Sequence, residues 1–203
     1  MLRNISPEFI SICTPTTTHL EIIREVLETE KLRFIFCEKP MGASIKEAKE
    51  IMRLCREKEI ILASNYMRRW DVKYSWIKEQ INNKDLGKLI AINANGTTAL
   101  YTSASHLIDM MLYFGGAVEE VSARLQDSFI RNVHGEKDPG ANAFFRFNDS
   151  VTGHLKASSK DPFHYMFEID LLFEECRITI KTDGEEIIKS TFNHQYYTSG
   201  SGF

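Results

Sequence analysis

Three short apolar runs decide the fold of this chain: Phe9-Ile-Ser-Ile-Cys13, Phe34-Ile-Phe-Cys37 and Ile60-Ile-Leu-Ala63. Runs this short, apolar on both sides, suit strands buried in a parallel sheet. Two amphipathic segments at helical period stand between them. His19–Thr29 carries Leu20, Ile23, Val26 and Leu27 on one stripe, and Ser44–Lys58 carries Ile45, Ala48, Ile51, Met52 and Cys55. Ser44, with Glu47 three residues later, is a capping-box start. Strand, helix, strand, helix, strand at this spacing predicts part of a doubly wound α/β domain.

Beyond Asn65 the rhythm changes. Asp71–Ile81 reads as a helix and Leu89–Ala94 as a strand. Ser103–Phe114 is a second helix, stopped by Gly115-Gly116. Glu120–Leu125, Ala141–Phe147, Ser150–Ser158, Met166–Phe173 and Cys176–Lys181 all read as strands. Turn clusters at Gly135–Gly140, Asn148-Asp149 and Asp183-Gly184 give the short connections of antiparallel pairs. The prediction is α/β followed by α+β, with residues 1–65 forming the first domain. Residues 66–203 then form a domain built on an open, mostly antiparallel sheet with helices.

Composition sets outer limits. The chain has 203 residues, 43% hydrophobic and 26% charged, with a formal net charge of -3, the balance of a globular protein. No basic face points to nucleic acid. No apolar run is long enough for a membrane span, and no secretory leader is visible. Cys13, Cys37, Cys55 and Cys176 show no paired spacing and read as free thiols, the usage of a reducing compartment such as the cytoplasm.

Four stretches hold residues with chemical potential. Thr14-Pro15-Thr-Thr-Thr-His19 lies where a strand ends and a helix begins, where open α/β sheets bind ligands. Plain threonine capping explains the same residues. Glu38-Lys39-Pro40 also closes a strand. Its ammonium suits a substrate or ribose hydroxyl, and the alternative is a surface lysine in a tight turn. His106 and Asp109 stand three residues apart on one helix face, either a proton carrier or a histidine paired with its helix neighbour. No third or fourth metal ligand stands at suitable spacing. Tyr66, Arg68, Arg69 and Trp70 suit a sugar ring and its hydroxyls, or an ordinary hinge.

Taken in order, these stretches resemble the glucose–fructose oxidoreductase/inositol dehydrogenase (Gfo/Idh/MocA) family. Ile-Ser-Ile-Cys-Thr-Pro-Thr-Thr-Thr-His resembles its fourth-strand motif, and Phe-Cys-Glu-Lys-Pro-Met its EKP signature. Asn-Tyr-Met-Arg-Arg-Trp is similar to its domain-junction stretch. Ser-His-Leu-Ile-Asp-Met-Met-Leu-Tyr-Phe-Gly-Gly is similar to the helix carrying its catalytic histidine. The resemblance implies a Rossmann domain binding NAD or NADP, with Thr14, Pro15, His19, Glu38, Lys39 and Pro40 on the nicotinamide side. It implies Lys39 and His106 as catalytic groups, and Tyr66, Arg68, Thr102 and Asp109 on the substrate side. A homo-oligomer is implied for the full-length protein.

Two departures stand out. Thr102 occupies the position where many members carry Asp, four residues before the histidine. No glycine precedes Gly42, so the family's glycine-rich turn lies outside these residues. The expectation is a Rossmann domain present as its C-terminal half, and a second domain incomplete at its C-terminus, where Tyr196–Gly202 trails off. The isolated chain is then expected to be inactive and to bind dinucleotide poorly. The expected activity of the whole is hydride transfer between a nicotinamide and a hydroxyl or carbonyl of a sugar, sugar derivative or cyclitol. Two rivals stay open: a non-catalytic remnant or binding module keeping the fold, and transient oxidation serving elimination or glycoside cleavage.

Overall fold

A computed structural model describes residues 5–127, 130–133, 136–158 and 166–192. The stretch Tyr196–Gly202 lies outside the described residues. The chain divides into two compact units, Met1–Met67 and Arg68–Phe203.

In the first unit, strands β1 (Phe9–Ile12), β2 (Phe34–Cys37) and β3 (Ile61–Ser64) form a parallel sheet in that order. Ile12 pairs with Cys37 and Cys37 with Ser64, so the three carboxyl ends fall in line. Helices α1 (His19–Val26) and α2 (Ile45–Glu57) connect the strands. Ser44 caps α2 by accepting the Glu47 N–H at 3.2 Å. Glu47 reaches back to the Ala43 N–H at 2.9 Å, one residue earlier than in the usual box. Ile12, Ile23, Val26, Leu27, Ile35, Cys37, Ile51 and Cys55 make the core. Ile45 and Met52, expected on the inner face, are exposed. The helix packs through Ile51 and Cys55, and Met52 lies about 100° round from Ile51.

In the second unit, helix α3 (Val72–Asn83) follows an Asp71 cap. A seven-stranded sheet holds the rest. Its strands are β4 (Leu89–Gly96), β5 (Val118–Leu125), β8 (Ala141–Phe147), β9 (Thr152–Ala157), β10 (Phe167–Phe173), β11 (Cys176–Lys181) and β12 (Glu186–Thr191). The order is β12-β11-β10-β4-β9-β8-β5. Every adjacent pair is antiparallel except β4 and β9. A hairpin of β6 (Arg131–Val133) and β7 (Glu136–Asp138) stands apart from it. The hairpin runs through the predicted Gly135–Gly140 turn, and β12 is a further strand that the sequence reading did not include.

Helix α4 (Ser105–Gly115) buries Leu107, Met110, Met111 and Phe114 in one core with alternate residues of the sheet. The packing is close. A Cβ on Gly153 would come within 2.7 Å of Phe147 and 2.8 Å of Met111, so a larger residue there would force these side chains to shift. The predicted helix start at Ser103 falls instead in a π-type turn, Leu100–Ala104, leading into α4. Strand β5 is exposed along most of its length.

Candidate functional site

Residues of possible function gather in two places, one in each unit. In the first unit, the aligned strand ends bring Thr14 and Pro15, Glu38, Lys39 and Pro40, and Asn65 and Tyr66 side by side. The Glu38 N–H donates to Ile12 O at 2.9 Å and the Asn65 N–H to Cys37 O at 2.8 Å, continuing the ladder into the loops. Glu38 organises the cluster. Its Oε1 accepts from Asn65 Nδ2 at 2.6 Å, and its Oε2 accepts from the Lys39 N–H at 3.3 Å. Lys39 is half-buried and is followed by a cis peptide bond to Pro40. Asn65 joins this cluster, although the sequence reading, which quoted it within the domain-junction stretch, gave it no role of its own. Its place at the end of β3, level with Glu38 at the end of β2, was the available signal.

Thr18 closes the loop after β1. Its hydroxyl lies 2.8 Å from Pro15 O and 2.9 Å from Thr14 Oγ1. Thr14 and Pro15 themselves are exposed. His19 lies beneath this loop. Its ring is fully buried, with Nε2 2.9 Å from Thr14 O and Nδ1 3.2 Å from Met41 O. The Cys37 thiol lies 3.4 Å from Nδ1. It braces the loop after β1 against the loop after Lys39. Burial, reinforced by the charge of Glu38, pushes the Cys37 thiol up to about 12.

In the second unit, His106 and Asp109 stand on the first turns of α4, both nearly buried. Asp109 accepts from Arg69 Nε at 3.0 and 2.9 Å through its two oxygens. The Arg69 guanidinium lies 5.0 Å from the Tyr113 ring centre. Beside it, burial and the charge of Arg69 lower the pKa of Lys78. Thr102, in the π-type turn, has its hydroxyl 2.9 Å from Asp138 Oδ2. Arg68 is also buried. Its Nε and Nη2 each lie 2.6 Å from an Asp183 oxygen, and its guanidinium stacks 3.8 Å from the Phe167 ring centre. These contacts anchor Arg68 to the second unit's sheet.

The donor set at the strand ends fits one end of a dinucleotide. A half-buried ammonium, a carboxylate and exposed threonine groups suit ribose hydroxyls and the nicotinamide carboxamide. No glycine-rich turn that would cradle a pyrophosphate occurs before Gly42.

Two family models match the chain. Residues 1–66 match the oxidoreductase family with an NAD-binding Rossmann fold, and residues 91–182 match the GFO/IDH/MocA C-terminal domain. The NAD(+)-linked scyllo-inositol 2-dehydrogenase of Bacillus subtilis is 26% identical, covering 100% of this chain and 62% of its own length. An uncharacterised oxidoreductase of Schizosaccharomyces pombe is 27% identical over 62% of this chain and 39% of its own. The WlbA dehydrogenase of Bordetella pertussis, solved with NADH and UDP-GlcNAcA, superposes with a TM-score of 0.82 at 20% identity. That match covers 95% of this chain and 64% of the dehydrogenase. This chain therefore spans less than two thirds of each of these proteins. With one model on the parallel sheet and its partner on the antiparallel one, the chain belongs to the Gfo/Idh/MocA family of oxidoreductases.

Proposed function

We propose that the chain serves a nicotinamide-dependent oxidoreductase acting on a hydroxyl or carbonyl of a sugar, sugar derivative or cyclitol, with NAD or NADP. The observation that carries this reading is the array at the strand ends. Lys39 is set between Thr14-Pro15 and Asn65, with its backbone held by Glu38. Relatives named for inositol and glucoside oxidation, at 24 to 26% identity, agree with a polyhydroxylated substrate. Nicotinamide supplies the acceptor or donor for the hydride when bound. The protein's own groups handle the proton and the alignment. Thr14, Pro15, Glu38 and Pro40 border the cofactor, with His19 bracing the loops behind them. Lys39 donates to ribose and substrate hydroxyls. His106 exchanges the hydroxyl proton as the acid/base group, with Thr102 and Tyr66 on the substrate side and Asp109 held by Arg69.

The experiment is a hydride-transfer assay of the full-length protein with both cofactors against inositols, hexoses and nucleotide sugars. Turnover on at least one class is expected. Lys39→Ala and His106→Ala should each cut it by about 10²-fold or more. Dinucleotide binding with no transfer to any substrate would instead favour a binding module that keeps the fold. Thr102 standing in place of a carboxylate is the observation that favours that second reading.

A further inference from the structure

The π-type turn Leu100–Ala104 and helix α4 begin without a side-chain cap of their own. A turn of this kind leaves its first N–H groups without partners inside it. They are met from a distant part of the sequence. The Leu100 N–H donates to Pro139 O at 2.8 Å. The Tyr101 N–H donates to Asp138 Oδ1 at 2.7 Å and the Thr102 N–H to Asp138 Oδ2 at 3.0 Å. The Thr102 hydroxyl adds a bond to the same Oδ2 at 2.9 Å. Asp138 is 3% exposed, although it ends a three-residue strand of the small hairpin. A buried carboxylate taking three hydrogen bonds at a helix start also meets the positive end of the helix dipole.

We propose that Asp138 is a positioning residue for His106. Its carboxylate fixes the turn from which α4 departs, and so sets where the His106 ring stands. It also commits the Thr102 hydroxyl proton, which makes that oxygen an acceptor toward any substrate hydroxyl. The proposal rests on the reading of His106 as the acid/base group. Helix α4 has no side-chain cap of its own to fix its start.

The test compares Asp138→Asn, Thr102→Val and Thr102→Ser with the parent in the full-length protein. Three readouts are taken: amide hydrogen exchange at residues 100–102, the imidazole resonances of His106, and hydride transfer. Asp138→Asn keeps the shape and loses the charge and one acceptor. It should speed exchange at 101 and 102 by at least about 10-fold, the loss expected for a hydrogen bond to a charged group. It should also shift the His106 resonances and lower kcat by a comparable factor. Thr102→Val should do the same more weakly, and Thr102→Ser, which keeps the hydroxyl on Asp138, should leave the exchange rates and the His106 resonances near the parent. If Asp138→Asn lowers only the melting temperature, with His106 resonances and turnover per folded molecule unchanged, Asp138 is merely structural and the proposal falls. If the parent itself transfers no hydride, the oxidoreductase reading fails, while exchange and the His106 signals still decide the Asp138 assignment. Should Asp138→Asn not fold, Thr102→Val carries the same comparison, and unchanged His106 resonances there overturn it.

Discussion

Glu38 Oε1 accepts from Asn65 Nδ2 at 2.6 Å, tying the end of β2 to the end of β3 directly beside Lys39. The bond is short and partly shielded, and it holds the carboxylate whose other oxygen receives the Lys39 N–H. Removing the donor with Asn65→Ala should cost about 1.5–3 kcal/mol, the range for a hydrogen bond to a charged group. Asn65→Asp should be worse at pH 7, because it sets two carboxylates against each other. Urea unfolding gives the stabilities and calorimetry with NADH the affinity, which should fall in both variants. Unchanged affinity would separate this bond from the cofactor region.

The Arg68–Asp183 pair makes a different kind of prediction. The Arg68 side chain is 9% exposed and that of Asp183 33%, so this is a largely shielded pair with two bonds of 2.6 Å. Asp183→Ala leaves a nearly buried guanidinium facing a lost partner and should cost about 2–4 kcal/mol. Arg53→Ala, which breaks exposed helix pairs to Glu50 and Glu57, should change stability far less, because solvent screens both pairs. If Arg68 is the anchor described, Arg68→Met lowers the melting temperature and leaves KM unchanged. A raised KM with unaltered stability would return Arg68 to the substrate.

Much of this fold is legible because buried parallel strands are apolar throughout. Phe34–Cys37 announces itself that way. The strand ends follow from the same reading, and with them Glu38 and Lys39. The hairpin of Arg131–Val133 and Glu136–Asp138 is too short and too polar to show a period, and Glu186–Thr191 is an edge strand with little to alternate. Asp138 is silent for a deeper reason. Its partners are backbone groups 36 and 37 residues away, and no local pattern records them. The contacts of His19 and Arg68 are silent for a related reason. Each residue type suits a ligand, and only the folded chain shows it already engaged by Thr14 and Met41, or by Asp183.

Cys37 gives a prediction in pH. Its thiol is pushed up to about 12 by burial, with Glu38 adding to the effect. An unfolded thiol ionises near about 8.5. The folded pKa is the higher one, so the stability it contributes is full below about pH 8.5 and is lost as the pH rises toward about 12. The urea midpoint of the first unit should therefore fall more steeply between pH 8.5 and 11 in the parent than in Cys37→Ala. Titrations common to both proteins cancel in that comparison, and parallel curves would contradict it. Cys13 is exposed and Cys37, Cys55 and Cys176 are buried. Iodoacetamide should accordingly label Cys13 first in the native protein, as mass spectrometry of the digested peptides can show.

Thr102→Asp joins both ends of the argument. Position 102 is where the family resemblance places a carboxylate, so restoring it looks like a gain. The structure predicts otherwise. The Thr102 hydroxyl lies 2.9 Å from Asp138 Oδ2, so the new carboxylate would meet an existing one at hydrogen-bond distance. Two such groups cannot both ionise, and one of them has its pKa raised in the folded state. Stability tied to a raised pKa is complete below the unfolded aspartate value near about 3.9 and is lost as pH climbs through the folded value. The single variant should thus lie close to the parent at acid pH and fall behind it by about 1–3 kcal/mol at pH 8. Thr102→Asp combined with Asp138→Asn removes the clash, because the amide can donate to the new carboxylate. The double variant should be more stable at pH 8 than Thr102→Asp alone, with a coupling of at least about 1 kcal/mol in the cycle. Additive losses would mean that positions 102 and 138 do not share the contact, and that the turn ahead of His106 is held by other groups.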